Sequence, residues 1–328
     1  MGLTVRAYAK VNLALEVLGP RPDGYHDIVS VLQSVSLWDT LSFRPDDGIH
    51  LTCNLAELET EDNLAVKAAR LLQEATGCSD GVSITLSKGI PVAAGLGGGS
   101  SDAAATLRSL NVLWGLGLAR EELASLGASL GSDVPFFVYG GTALAEGRGE
   151  KVNPLPDIPE TWLLLVLPTL EIPRKTEAMY KLLNPRSYSD GVATYALASA
   201  VKRGEGVSPN RIGNVFTSVV ADTYPPVAEL VELLRALGLR ATLSGTGPTL
   251  YALVDSREVG EEALQDVRRR GVEAHLVHSV SGTEAVDLGG RPFDHTLRAR
   301  PADGTLAERR SPDRSGQDRP FDYAQDRD

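Results

Sequence analysis

The stretch Pro91–Ala104 reads PVAAGLGGGSSDAA, with four glycines in the five residues from Gly95 to Gly99. The pattern predicts an uncharged loop over Gly89–Ser101 that opens into a helix over Asp102–Trp114. Because glycine has no Cβ, the backbone of such a loop can approach a ligand closely. The helix that follows adds unpaired N–H donors and the positive end of its dipole. These features together favour a site for the phosphates of a nucleotide.

This loop differs from two common nucleotide-binding motifs. The chain contains no Gly-Lys-Ser/Thr, which excludes a Walker A loop, and Ser100 stands where a dinucleotide fingerprint starting at Gly95 and Gly97 would need a glycine. A flexible surface loop is the alternative, but the small residues on both sides of the helix start argue against it. Ser100 and Ser101 add hydroxyl groups for a phosphate or a Mg²⁺ ion.

The composition is that of an ordinary globular chain. Its 328 residues are 42% hydrophobic and 23% charged, which suits two domains with real cores. The net charge of −11 argues against nucleic acid or an anionic membrane as a partner. Cys53 and Cys78 lack the spacing of zinc ligands, and no apolar run has the length of a membrane helix. With no targeting segment at the N-terminus, we expect a cytoplasmic protein.

Strand and helix patterns along the chain alternate in a way that predicts an α+β fold rather than a doubly wound sheet. Alternating apolar residues predict a half-buried strand over Val5–Val17. The prolines of Pro154–Pro159 indicate a linker. We therefore expect one domain over residues 1–155, a second over 156–286, and a disordered tail over 287–328. Elements predicted between these landmarks are listed here: strands at Ile28–Leu32, Thr40–Phe43, Ile49–Cys53, Phe136–Val138 and Trp162–Leu167, and helices near Asn63–Thr76, Glu121–Leu130, Glu177–Leu183, Val192–Lys202 and Pro225–Leu237.

Lys10 and Asn12 stand out within the first predicted strand. They lie two residues apart and so share a face. A cation in an apolar strand costs desolvation free energy unless it meets an anion. Spacing alone leaves two interpretations open, a functional pair or two solvated side chains.

Three shorter motifs are ambiguous when each is taken alone. Asp133 follows a predicted helix and precedes apolar residues, so it is either a functional carboxylate or an ordinary turn residue. Leu243–Pro248 (LSGTGP) is either a second phosphate loop or a tight turn. Tyr25 and His26 follow a turn and could hold a base, or they could simply end a hairpin. Arg174 and Lys175 read as a solvated pair or as a contact to a diphosphate.

Taken in chain order, these motifs resemble those of the GHMP kinase superfamily. Ala9–Asn12 (AKVN), the glycine loop and Ser244–Gly247 (SGTG) match its three motifs. Arg21–His26 (RPDGYH) and Gly131–Phe137 (GSDVPFF) further resemble the kinases of this superfamily that act on 4-diphosphocytidyl-2-C-methyl-D-erythritol, an intermediate of the non-mevalonate isoprenoid pathway. The match runs from about Arg6 to Val280.

The resemblance implies a fold, a reaction and a set of roles. It implies an N-terminal domain like the second domain of ribosomal protein S5, a ferredoxin-like C-terminal domain, and ATP with Mg²⁺ as cofactors. Lys10 and Asp133 would be the catalytic pair, with the cytosine between Tyr25 and Tyr180. The residues implied for ATP are Pro91, Val92, Ala93, Ala94, Gly95, Leu96, Gly97, Gly98, Gly99, Ser100 and Ser101. Those implied for the substrate are Asn12, Tyr25, His26, Thr176, Tyr180, Gly245, Thr246 and Gly247.

Some properties stay open under this resemblance. Other GHMP kinases hold Mg²⁺ with a Ser and a Glu, and no matching Glu is evident here, so the metal ligands are unassigned. The partner is a small cytidyl diphosphate substrate, and the chain is a monomer or a homodimer. The rival hypotheses are a GHMP kinase for another alcohol, such as homoserine or mevalonate, and a catalytically silent nucleotide-binding regulator.

Overall fold

The computed structural model describes residues 2–170 and 172–288. Its strands are β1 (Leu3–Pro20), β2 (His26–Asp46), β3 (Ile49–Cys53), β4 (Gly81–Ser87), β5 (Thr142–Gly147), β6 (Lys151–Leu155), β7 (Trp162–Leu167), β8 (Gly213–Asn214), β9 (Thr242–Leu243), β10 (Leu250–Val254) and β11 (Glu273–His278). Its α-helices are α1 (Leu64–Thr76), α2 (Gly98–Leu113), α3 (Arg120–Gly127), α4 (Val134–Tyr139), α5 (Lys175–Lys181), α6 (Val192–Lys202), α7 (Phe216–Thr223), α8 (Pro225–Ala236), α9 (Arg257–Arg269) and α10 (Gly282–Ala285).

The strands form two sheets, which confirms the predicted α+β class. The first has the order β3-β4-β2-β1-β8, and β5 and β6 extend it from β2. The second is antiparallel in the order β11-β7-β10-β9. Helices α1 and α2 cover the first sheet, and α8 and α9 pack on the second. A broad apolar cluster joins β1 of the first sheet to β7 and β10 of the second, so the two sheets share part of their core.

The chain returns to the first sheet after it has entered the second. Strand β8 pairs in parallel with β1, and α6 packs against β1 and β2. Ser279 then bridges to Val35 of β2, and Leu288 is fully buried in the core of the first sheet. The division at residues 155 and 156 remains a prediction. Of the predicted tail, only Asp287 and Leu288 lie within the described residues.

Several predicted elements are confirmed. Helix α1 begins after Asn63, whose side chain accepts a 2.9 Å hydrogen bond from the N–H of Ala65, and ends before Gly77. Strands β3 and β7 and helix α6 have the predicted bounds, since each is a clear apolar run between turn residues. No helix in residues 2–170 and 172–288 has the length and apolar character that crossing a bilayer requires.

Other predicted elements were wrong, each for a local reason. Val134–Tyr139 is a helix and not a strand, because Pro135 stands in its first turn, where proline suits a helix. The two short strands predicted within residues 28–43 are one 21-residue strand, since β2 pairs with β1 along its length. Pro154 belongs to β6 despite the predicted linker, on a strand that pairs only with β5. Helix α7 was missed.

Candidate active site

Lys10 lies deep inside the protein on β1. The strand is buried on both faces from Ala7 to Leu15, so the predicted half-buried strand is wrong over this stretch. Lys10 is 3% exposed, and its Nζ donates a 2.9 Å hydrogen bond to Oδ1 of Asn12. The same Nζ lies 3.3 Å from Oδ2 of Asp133. The buried ammonium therefore meets both a carboxylate and an amide oxygen, which offsets the cost of its desolvation.

The side chain of Asn12 is oriented by its own partners. Its Nδ2 donates a 2.8 Å hydrogen bond to Oγ of Ser30, and that hydroxyl donates to the carbonyl oxygen of Ala14 at 2.6 Å. The carbonyl oxygen of Asn12 accepts a 2.8 Å hydrogen bond from the phenol of Tyr251 on β10. With Nδ2 engaged in this way, Oδ1 is fixed toward Lys10.

Asp133 precedes α4 and stands at a turn between helices, not at the predicted turn from helix to strand. Its side chain is 34% exposed, whereas the side chain of Lys10 is 4% exposed. The N–H of Phe137 donates to the Asp133 carbonyl oxygen at 3.3 Å, so the carboxylate sits at the first turn of a short helix. One member of the pair is thus buried and the other is partly exposed to solvent.

The glycine loop passes directly over this pair. Helix α2 begins at Gly98, four residues earlier than predicted, so Ser100 and Ser101 belong to its first turns. Gly97 has a φ of 73°, and a Cβ built on it would lie 2.8 Å from the ring of Phe137 and 3.2 Å from Cε of Lys10. The N–H of Lys10 donates a 2.9 Å hydrogen bond to the carbonyl oxygen of Leu96. Only glycine fits at residue 97.

The third motif closes the site from the second sheet. Ser244 Oγ donates a 2.9 Å hydrogen bond to the carbonyl oxygen of Gly95, whose own Cβ position would lie 2.5 Å from the Gly247 carbonyl oxygen. A Cβ built on Gly245 would lie 3.2 Å from Nζ of Lys10. The structure therefore brings together residues of all three motifs, which the sequence separates by more than two hundred positions.

A buried charged cluster supports the entry to the glycine loop. Nζ of Lys88 donates to Asp39 at 2.6 Å and to Asp102 at 2.9 Å. The other oxygen of Asp39 accepts from the N–H groups of Gly89 and Ile90 at 2.6 and 2.8 Å. Burial opposes the charge on Lys88, but attraction by Asp102 and Asp39 outweighs it and raises its pKa. Burial, with repulsion from Asp39, raises the pKa of Asp102 well above its usual range.

Two of the residues implied for the base, His26 and Tyr180, lie in contact with each other. The rings of His26 and Tyr180 stack with centroids 4.8 Å apart, and the Tyr188 hydroxyl lies 3.5 Å from Nε2 of His26. Tyr25 is exposed, and the Arg148 guanidinium lies 4.7 Å above its ring. Thr176 is in the first turn of α5, one turn before Tyr180. Burial lowers the pKa of His26, so the neutral imidazole is favoured.

Sequence reasoning missed several residues that build the site. Asn214 Nδ2 donates to the carbonyl oxygens of Leu243 and Gly245 at 2.9 and 2.7 Å, which fixes the third motif. Tyr251 and the cluster around Lys88 have comparable roles. Each acts on backbone that is distant in sequence, so no local pattern indicates it. The one signal available in the sequence was Lys88, a lysine that directly precedes the glycine loop.

Comparisons with known proteins agree with this geometry. Residues 63–141 match the N-terminal domain model of the GHMP kinases, and residues 197–273 match their C-terminal model. The 4-diphosphocytidyl-2-C-methyl-D-erythritol kinase of Dehalococcoides mccartyi is 40% identical over 280 residues, which cover 85% of this chain and 98% of the relative. The chain belongs to the 4-diphosphocytidyl-2-C-methyl-D-erythritol kinase family. It is therefore an ATP-dependent kinase, and the predicted two-domain GHMP kinase fold is confirmed.

Solved structures agree with membership of this kinase family. A crystal structure described as 4-(cytidine 5'-diphospho)-2C-methyl-D-erythritol kinase is 34% identical, with a TM-score of 0.73, and the match covers 84% of this chain and 99% of that one. The mevalonate kinase of Methanococcus jannaschii is 15% identical, with a TM-score of 0.63, over 86% of this chain and 99% of its own. At that identity the likeness concerns the fold alone.

Proposed function

We propose that this kinase transfers the γ-phosphoryl group of ATP to the 2-hydroxyl of 4-diphosphocytidyl-2-C-methyl-D-erythritol in the non-mevalonate isoprenoid pathway. The observation that carries the proposal is the 3.3 Å approach of Lys10 Nζ to Asp133 Oδ2 beside the glycine loop. Supporting it are the named relatives, which match over nearly their whole length. The acceptor is taken from the names of those relatives, and the roles of individual residues are inferred from the geometry.

Asp133 and Lys10 have complementary parts in the proposed reaction. Phosphoryl transfer passes through a loose transition state, so catalysis depends mainly on positioning and charge stabilisation. Asp133, with its carboxylate partly open, accepts or orients the proton of the attacking hydroxyl. The buried Lys10 ammonium, 3.3 Å from that carboxylate, offsets charge on the transferring group.

The glycine loop and the start of α2 would hold the triphosphate. The chain carries a net charge of −11, so backbone N–H groups and Lys10 must supply a local field of the opposite sign. Mg²⁺ usually binds through one or two carboxylates together with substrate phosphates. The described residues hold no cluster of three His, Cys, Asp or Glu that could bind a metal ion. A Mg²⁺ ion bound mainly through the phosphates of ATP would need no such cluster. When bound, Mg²⁺ neutralises phosphate charge.

Two aromatic residues favour a cytidyl acceptor over a simple alcohol. Tyr180, which stacks on His26, and Tyr25, which lies below the Arg148 guanidinium, are the aromatic rings proposed for the base. A stacked base contributes about 1–3 kcal/mol in single-stranded nucleic-acid sites. His26, held neutral, can donate or accept a hydrogen bond at the edge of the base. Homoserine and mevalonate carry no base, so these side chains would have no role with either.

A turnover assay tests the proposal directly. ADP release is measured with 4-diphosphocytidyl-2-C-methyl-D-erythritol, homoserine and mevalonate in turn, and only the first should be phosphorylated. Asp133→Asn and Lys10→Met should each lower kcat by about 10²–10⁴-fold while an ATP analogue still binds. The exposed Asp80→Asn and Lys202→Met serve as matched controls. Efficient turnover of mevalonate would reject the acceptor, and full activity of Asp133→Asn would reject its role.

A further inference from the structure

One contact joins the helix that carries Tyr180 to the glycine loop. Nζ of Lys175, the first residue of α5, donates a 2.8 Å hydrogen bond to the carbonyl oxygen of Ala93. Its neighbour Arg174 is 76% exposed and pairs with Glu177 at 3.3 Å. Arg174 is therefore a solvated side chain, as one of the two interpretations of the sequence had it, whereas Lys175 binds the backbone before the glycines.

Ala93 at one end of this contact, and Arg174 directly before Lys175 at the other end, have an uncommon backbone conformation. Ala93 has a φ of 56° and Arg174, which directly precedes Lys175, has a φ of 46°. Residues with a Cβ rarely adopt left-handed angles and need surrounding contacts to hold them there. Lys175 supplies such a contact to Ala93 at its carbonyl oxygen. The shape of the loop before Gly95 thus depends partly on where α5 lies.

The position of α5 depends in turn on the base-binding side of the cleft. Tyr180 stacks on His26 at 4.8 Å and packs edge-on against Phe216 at 5.1 Å, while Met179 is buried in the core of the second sheet. Helix α5 is only seven residues long, so a displacement at Tyr180 is carried to Lys175. A base stacked on Tyr180 would hold the helix, and the helix would hold the loop.

We propose that Lys175 is a positioning residue that couples acceptor binding to nucleotide binding. The inference rests on the proposed function, because it takes the base side of the cleft as the acceptor site. When a bound base orders α5, Lys175 is held against Ala93. The glycine loop is then ordered before the nucleotide binds. The nucleotide then binds a loop that is already ordered, which gives positive cooperativity between the two substrates. Such coupling is reciprocal, so each substrate must raise the affinity for the other by the same factor.

Isothermal titration calorimetry of the full chain, in a buffer that contains Mg²⁺, tests this coupling. A non-hydrolysable ATP analogue is titrated with and without saturating CDP, which carries the base and diphosphate of the acceptor. We expect CDP to lower the Kd of the analogue in the wild type by about fivefold or more, the usual scale of such coupling. Lys175→Met should abolish that factor. Lys175→Arg, which keeps a donor, should restore it, and the control Arg174→Met should leave it unchanged.

The alternative outcomes are distinct from each other. No coupling in the wild type, or the same coupling in Lys175→Met, overturns the inference. If Lys175→Met weakens binding of the ATP analogue by the same factor with and without CDP, Lys175 acts on the phosphates directly, and the inference is also wrong. CDP binding without coupling leaves the proposed function standing, whereas failure of CDP to bind at all overturns both.

Discussion

The phenol of Tyr251 donates a 2.8 Å hydrogen bond to the carbonyl oxygen of Asn12, which joins the second sheet to the strand that carries Lys10. Tyr251 is fully buried, and burial raises the pKa of its hydroxyl above its usual range, so the group remains a donor. The strand with the candidate catalytic lysine is thus fixed from the opposite domain.

Tyr251→Phe should lower the free energy of unfolding and also disturb catalysis. The change leaves the buried Asn12 carbonyl without its partner, which costs about 1–3 kcal/mol. Urea unfolding measures the loss, and steady-state assays should give a reduced kcat. Tyr195→Phe removes a hydroxyl that binds Glu146 at the surface and should be close to neutral. Equal effects of the two changes would contradict this account.

Gly97→Ala should abolish activity. The added Cβ would lie 2.8 Å from the ring of Phe137 and near the side chain of Lys10, at a φ of 73°. The loop, Lys10 or α4 would have to move. Gly115→Ala is the matched control, because Gly115 has a φ of 62° but no atom within 4 Å of the new Cβ. Both variants place alanine at a left-handed φ, and only Gly97→Ala should abolish turnover. An active Gly97→Ala enzyme would be inconsistent with the close approach.

Asp39 and Asp102 should respond differently to substitution by asparagine. Asp39→Asn places an amide against N–H groups that need an acceptor and leaves Lys88 short of charge, so it should cost about 3 kcal/mol or more. Burial raises the pKa of Asp102, so the folded protein binds this proton more tightly than the unfolded chain does. Its contribution to stability is lost as pH rises from about 3.9 toward the folded pKa. Asp102→Asn should therefore be neutral or stabilising at pH 8.

Unfolding by urea at several pH values separates these two effects. The stability of the wild type relative to Asp102→Asn should fall as the pH rises, whereas Asp39→Asn should be destabilised throughout the neutral range. A large destabilisation by Asp102→Asn at pH 8 would show that its ionised form is required.

Acceptor binding should weaken at mildly acidic pH because of His26. Burial lowers its pKa below 6.5, so the imidazole is neutral at pH 7 and gains a proton only at lower pH. As the pH falls from about 6.5, the unfolded chain protonates first, so stability declines until the folded pKa is reached. The protonated ring has no acceptor nitrogen left to offer to the base. NMR titration of the ring should give a folded pKa below the usual value.

Kinetics supply the functional check on His26. The KM for the cytidyl acceptor should rise at low pH in the wild type, and His26→Asn should remove that pH dependence. The exposed His50→Asn is the control and should leave it intact. An unchanged profile in His26→Asn would assign the pH dependence to another group.

The sequence indicated the motifs better than the contacts that assemble them. The glycine loop was recognised because its composition is unusual, and α1 because Asn63 and Gly77 bracket a periodic helix. The strand predicted over Phe136–Val138 was wrong since a short apolar run fits a strand or a helix equally well, and Pro135 directly before it was not weighed. The bond from Tyr251 to Asn12 has no local signature, because a tyrosine in an apolar strand looks like core.

The candidate site was predictable to a similar degree. The resemblance implied that Lys10 and Asp133 form a pair, and the structure places their side chains 3.3 Å apart. Their roles remain predictions. The part proposed for Lys175 was not foreseeable, since it depends on a left-handed Ala93 whose conformation the residue type disfavours. Asn214 is likewise an ordinary polar residue until the fold brings it against Gly245.

The burial of Leu288 in the first sheet has a consequence for exchanging halves of this enzyme with those of a relative. In a hybrid with a single crossover near residue 155, most of the first sheet would come from one parent. Gly213–Asn214 of β8 and the segment Val280–Leu288 would come from the other parent and would have to pack against that sheet. Chimeras that also carry those two segments with the first half should express and retain activity more often than single-junction hybrids.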